Sequence, residues 1–167
     1  MSPPDFSPYP QPESNDTGSV EAALDALRGA HNELSAVDAC DALLWAVGNN
    51  HAGTYLPIVL GVLPAIEQVL EAGSAWAQRA AMEALLDLCG TFIPEQGFEH
   101  HQGASVPQAL DAFLLSVRHH VAPLAHGNDL RAQSAADLLE LMDDKAVTAG
   151  LSPDSDRGSK IRSSPLH

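Results

Sequence analysis

The sequence predicts an all-α protein, a short α-solenoid of about three antiparallel helix pairs. Three observations carry this expectation. Val62 to Gly90 (VLPAIEQVLEAGSAWAQRAAMEALLDLCG) reads as two amphipathic helices, Pro64 to Glu71 and Ala75 to Cys89, around a break at Ala72-Gly73-Ser74. Sliding the chain by 42 residues sets VDACDALLWAVG, Val37 to Gly48, on RAAMEALLDLCG, Arg79 to Gly90, and a weaker copy follows at Ala132 to Met142. Apolar residues make up 45% of the chain but aromatics only 5%, so the core must be built mainly from Ala, Leu and Val, which suits helices that approach closely. One such pair cannot bury its apolar face alone, so related pairs should stack on it.

Residues 1–18 hold five prolines among Ser, Asp, Asn and Gly, a mixture that buries too little surface to offset its ordering entropy. A disordered arm is expected there, with FSPYP as a candidate docking peptide. The folded part, residues 19–144, opens with a helix from Ser19 to Arg28, capped by Ser19 and apolar at Val20, Ala23, Leu24 and Leu27. Ser35 and Asp38 resemble a capping box, which predicts a second helix from Ala36 to Val47 with Val37, Ala39, Cys40, Leu43, Leu44 and Val47 on its buried stripe. The NNHAGT turn ends at Thr54, the expected cap of one helix from Tyr55 to Glu71 that Gly61 and Pro64 kink, or of the first of two short ones.

Gly73 suits a left-handed residue after a helix end, and Ser74 can cap the helix that follows. In that helix Trp76, Ala80, Ala81, Ala84, Leu85 and Leu88 form the apolar stripe, with Gln78, Arg79, Glu83 and Asp87 mostly off it. The irregular stretch TFIPEQGFEHHQGA should be pinned to the core by Phe92, Ile93 and Phe98. Ser105 can cap a helix from Val106 to Val121, bent or ended by Pro123, and Asn128 or Asp129 starts a last helix to Asp144. Residues 145–167 read as a disordered tail.

The formal net charge is −14, and residues 19–144 carry 17 Asp and Glu against four Arg, a net of −13. Such a field repels nucleic acid and anionic membranes and attracts basic proteins. Cys40 and Cys89 fall in apolar helical stripes, where free cysteine acts as a small hydrophobe, and a reducing cytoplasm is the simplest setting. The N-terminus lacks the basic and apolar regions of a signal peptide. Nor does any stretch approach the roughly 18 uninterrupted apolar residues of a membrane span.

VLPAIEQVLEAGSAWAQRAAMEALLDL resembles a unit of the HEAT and armadillo repeat proteins, with an early proline, a turn, and a second helix carrying an Arg-Ala-Ala run and paired leucines. The resemblance covers roughly Ser19 to Asp144 and is specific in the central unit. The first unit lacks the proline and has Val37 where the central unit has Arg79; the last carries Pro107 and Pro123 in one helix. It implies a HEAT-like α-solenoid that binds proteins through an acidic concave surface lined by its second helices. Small acidic bacterial members act as immunity proteins encoded beside secreted toxins, and this chain is similar to them in size and charge. By that resemblance the partner is a basic protein, a cognate toxin domain, with no cofactor and no small-molecule substrate.

The residues give other chemistries less support. Eight histidines raise the alternative of a metal-binding helical domain, but adjacent histidines point apart on a helix, and no HExxH or CxxC pattern gathers a set. Neither cysteine has a basic neighbour, and no GxSxG or phosphate-binding glycine loop occurs. Carboxylate pairs on an open helix lack the desolvated cleft that acid–base catalysis needs, so an enzyme is not expected. What remains is a ladder across the second helices. The 42-residue offset sets Asp41 on Glu83 and Trp45 on Asp87, and Asp38, Asp137, Glu140 and Asp144 extend the row. Trp45 is the candidate aromatic anchor, and Glu95 and Glu99 in the long loop complete the partner-binding set. A scaffold or adaptor with no toxin link is the alternative of the same class.

Overall fold

The structure, a computed structural model, describes residues 3–150 and is mostly helical, with a few two-residue strands. Helix α1 (Ser19–Arg28) buries Val20, Ala23, Leu24 and Leu27, the face its periodicity predicts. Ser19 does not cap it: Gly18 holds that position, and the Ser19 hydroxyl accepts from the Asp16 N–H at 2.9 Å. Helix α2 (Glu33–Val47) starts earlier than expected because Asn32 and Ser35 cap each other. The Asn32 side chain accepts from the Ser35 N–H at 2.8 Å, and the Ser35 hydroxyl accepts from the Asn32 N–H at 3.1 Å. Two free amides are thereby satisfied together. Val37 leaves the buried stripe and is 47% exposed, because Ala36 belongs to the buried face and the next residue lies about 100° further round the helix.

Gly48–Asn49 (β1) pairs antiparallel with Thr54–Tyr55 (β2), and Ile93–Pro94 (β3) joins β2 in parallel. A Cβ on Gly48 would lie 2.0 Å from the Thr54 carbonyl oxygen, so only glycine lets these strands close. Thr54 is thus a strand residue and not a cap. The Leu56 N–H donates to Val47 and the Tyr55 carbonyl accepts from Glu95, so helix α3 (Ile58–Ala72) begins only after Pro57 and then runs unbroken past Gly61 and Pro64. Helix α4 (Ala75–Gly90) is capped by Ser74, whose hydroxyl accepts from the Ala77 N–H at 3.2 Å. The Gly73 between them is extended, with φ −72°, and not left-handed. Glycine is needed there because a Cβ would meet the Val69 carbonyl oxygen at 2.6 Å.

His100–His101 (β4) and Ala104–Ser105 (β5) form a hairpin in the long loop. Of the three side chains expected to pin this loop only Phe92 packs on the core; Ile93 is 62% exposed and Phe98 lies at the surface, since backbone pairing to β2 does the holding. The helix expected to reach Val121 divides into α5 (Val106–Ser116), α6 (Arg118–Val121) and a 3-10 turn over Ala122–Ala125. At the break the Ser116 hydroxyl donates to the Phe113 carbonyl at 2.6 Å, in competition with the backbone ladder. Helix α7 (Leu130–Thr148), capped by Asp129, continues past Asp144, so the start of the expected tail is helical. The tail beyond residue 150 lies outside the described residues.

Helices α2, α4 and α7 pack side by side; α1, α3 and α5 pack against them and successively against one another. The first group runs parallel. The Ser74 hydroxyl donates to the Ala30 carbonyl just before α2, Arg131 donates to the Gln78 Oε1, the Ser134 hydroxyl donates to Glu83, and Leu141 lies beside Gly90. With neighbours on both sides, α4 buries Gln78, which the sequence places off the stripe, and the Gln78 Nε2 satisfies itself on the Leu70 carbonyl at 3.0 Å.

Residues 3–18, expected to be disordered, are seated on the helices. Phe6 and Tyr9 pack over Gly61, where a Cβ would stand 3.0 Å from the Tyr9 ring. Ile58 N–H donates to the Pro10 carbonyl, Asn15 Nδ2 donates to the Ala46 carbonyl at 2.7 Å, and Tyr9 stacks on His101. Two aromatics and a bare glycine supply the burial that the arm's average composition conceals. Among the described residues no helix is long and apolar enough to cross a membrane.

Candidate functional site

Because α4 is flanked on both sides, beyond its first residue only Trp76, Arg79, Glu83, Leu86, Asp87 and Gly90 reach solvent. Their spacing of three and four makes one stripe. On α2 the outward row is Leu34, Val37, Asp38, Asp41 and Trp45. Between the two rows lies a groove of about 210 Å³ whose walls include Val37, Cys40, Asp41, Arg79, Glu83 and Asp87.

Three of the predicted carboxylates meet in this groove. Burial holds the Asp87 carboxyl above the usual aspartate range, and the neighbouring Glu83 and Asp41 charges push it further the same way. The Cys40 thiol beneath them is raised to about 12, first by burial and then by Asp87, Asp41 and Glu83, with Arg79 opposing. Glu83 is held from α7 by the Ser134 hydroxyl at 2.6 Å. Arg79 is the groove's one cationic wall; its guanidinium carbon lies 5.7 Å from the Trp76 ring centroid, and its Nε is buried without a hydrogen-bond partner.

The remaining predicted residues divide. Asp38 is exposed on the same row of α2, and Trp45, at the end of that row, is 40% exposed with its ring edge-on to His51 at 4.9 Å. Glu95 lies across a second cleft from Trp45, beside Phe98. Asp137 and Glu140 are exposed on α7, while Asp144 lines a separate groove between α5 and α7 with Asp111 and Lys145. Glu99 turns into its own loop, where its own amide and that of Gly97 keep its carboxyl below the usual range. The ladder is therefore not one continuous line: Asp41, Glu83 and Asp87 form a cluster, Trp45 and Glu95 share a neighbouring cleft, and Glu99 and Asp144 face elsewhere.

Leu34, Val37 and Arg79 also belong to this surface: Val37 was expected on the buried stripe, and neither Leu34 nor Arg79 was given a part in binding. Leu34 is 70% exposed. The available signal was the spacing of three and four that joins Leu34, Val37, Asp41 and Trp45 in one helical row.

Both buried thiols are raised to about 12, so they stay protonated near neutrality and are weak nucleophiles. His119 and His120, expected to point apart, have ring centroids 3.9 Å from each other, and His120 also reaches Glu67 at 3.5 Å. Among the described residues no three His, Cys, Asp or Glu side chains gather closely enough to hold a metal ion. What fold and groove together define is a mostly helical protein with acidic and apolar side chains interleaved on the outward rows of α2 and α4. No protein-family model, curated protein or solved structure matches the chain.

Proposed function

We propose that this chain is a non-catalytic binding protein, a short HEAT-like solenoid that covers a basic protein partner with the outward face of α2, α4 and α7. The partner we propose is a bacterial toxin domain, with this chain as its immunity protein in the cytoplasm. The observation that carries the reading is the gathering of Asp41, Glu83 and Asp87 in one groove next to exposed Leu34, Val37 and Trp45. Grouping like charges costs stability, and exposed apolar side chains beside them offer area to bury. A basic partner reverses the first cost and uses the second. The parallel run of α2, α4 and α7, with α1, α3 and α5 behind, supports the solenoid; the toxin link rests on resemblance in size and charge.

The test is capture of a basic protein from native lysate by the wild-type chain and by D41K/E83K/D87K, followed by binding kinetics with the purified partner. The variant should lose the partner, with the association rate falling by roughly one to two orders of magnitude and its salt dependence flattening. Equal capture by both chains rules the groove out. A purified partner that inhibits growth unless this chain is co-expressed supports the immunity role; a harmless one removes it.

A further inference from the structure

The second cleft offers a more specific feature than the charge cluster. It has a volume of about 300 Å³ and is built from three segments: the arm at Glu13, the end of α2 at Trp45, and the turn carrying Glu95 and Phe98. The arm and the turn are each tied down by hydrogen bonds. Asn15 Nδ2 ties the arm to the Ala46 carbonyl at 2.7 Å. Glu95 N–H donates to the Tyr55 carbonyl at 2.8 Å, and Phe98 N–H closes the turn on the Glu95 carbonyl at 2.9 Å. Gly48 and Leu56 form a buried apolar floor. The walls thus combine two partly exposed aromatic rings with two carboxylates, and among the described residues neither Glu13 nor Glu95 is ion-paired and no basic side chain lines the cleft.

We infer that this cleft receives one arginine side chain of the basic partner, its guanidinium stacked on Trp45 or Phe98 and donating to Glu13 and Glu95. Planar guanidinium matches both wall types: it stacks on aromatic faces and forks onto carboxylates. The chain's net charge of −14 selects such an occupant over an anionic or neutral one. The arm then has a role, since it contributes one of the two acidic walls. This inference rests on the reading of the chain as a binder of a basic protein, and it assigns a particular side chain to a particular place.

The probe is a short alternating Arg-Gly peptide, compared with its citrulline counterpart, which keeps the planar shape and lacks the charge. It is titrated into the full isotope-labelled chain while the Trp45 indole N–H is followed by NMR, assigned by its loss in W45F. The arginine peptide should move that resonance and the citrulline peptide should not; E13Q/E95Q should weaken binding about five- to tenfold without shifting thermal unfolding. D41N/E83Q/D87N should keep the indole shift. An unmoved indole, or wild-type affinity in E13Q/E95Q, overturns the inference. If the peptide then perturbs only the Asp41–Glu83–Asp87 groove and is weakened by D41N/E83Q/D87N, the proposed function stands and the cleft assignment alone fails. A chain that ignores the arginine peptide altogether overturns the cleft assignment, and the capture experiment above decides the proposed function separately.

Discussion

Asp87→Asn should make the protein more stable and a poorer binder at once. Asp87 stands four residues after Glu83 on α4 and faces Asp41 across the groove. A like-charge pair at that helical spacing costs a few tenths of a kcal/mol. A second one of similar size, together with partial burial and discounted for solvent screening, brings the gain to about 0.5–1 kcal/mol. For a domain of this length that is about 1–4 °C in Tm. The pH dependence checks the cause. The Asp87 carboxyl is raised above its ordinary value of 3.8 in the folded chain, so the native state takes up its proton more readily than the unfolded one. Its stabilising contribution is present below pH 3.8 and is lost as pH rises through the raised value. Thermal unfolding followed by circular dichroism should therefore show D87N ahead near neutrality and level with wild type near pH 3. A lower Tm at neutral pH, or a gain that persists in acid, would refute the argument. The same variant should bind a basic partner less tightly, since sites kept for binding are often held at some cost in stability.

Other outcomes follow from particular contacts. Gly48→Ala forces a Cβ to within 2.0 Å of the Thr54 carbonyl oxygen; urea unfolding should register a loss of about 1–3 kcal/mol or more, as overpacking does. The double variant F6A/Y9A uncovers Gly61 and should cost about 1–3 kcal/mol while opening residues 3–16 to limited proteolysis; an arm that stays protected would show that it is held elsewhere. Cys40 and Cys89, buried and raised to about 12, should ignore a thiol reagent until the chain unfolds. Their contribution to stability is complete below pH 9.0 and declines as pH climbs toward about 12. An alkaline unfolding curve of C40S/C89S, compared with wild type, reads that difference.

Much of the helical framework was legible because period and capping agree. Val20, Ala23, Leu24 and Leu27, or Ser74 before Ala75, say the same thing at two levels, and such agreement marks foldable segments. What escaped the sequence was tertiary in origin. Gln78 is buried because α7 arrives more than 50 residues later, with Arg131 reaching it from 53 residues away. The arm's composition suggests disorder, yet Phe6 and Tyr9 find a place where Gly61 has no side chain. Gly73 was legible as glycine for the wrong reason, since a close carbonyl and not a left-handed turn demands it. For the candidate site, the repeat offset set Asp41 against Glu83, and the structure brings both into one groove. The exposed Val37 and Leu34 were hidden because hydrophobic residues are read as core by default, and only the position of α4 decides which face of α2 stays open.

The parallel run of α2, α4 and α7 has an electrical consequence. Their capping residues, Asn32, Ser74 and Asp129, all mark starting ends, so three helix dipoles add instead of cancelling, each with its positive pole at the same rim. Arg79 and Arg131 sit in the opening turns of two of these helices, while Asp87 and Asp144 lie in the later ones. This one face therefore carries a positive rim and a negative rim, each felt within about one turn of the helix ends. A charged group meeting this face is favoured at the rim of opposite sign, so a partner with its own charge asymmetry would fit better in one orientation than in its reverse.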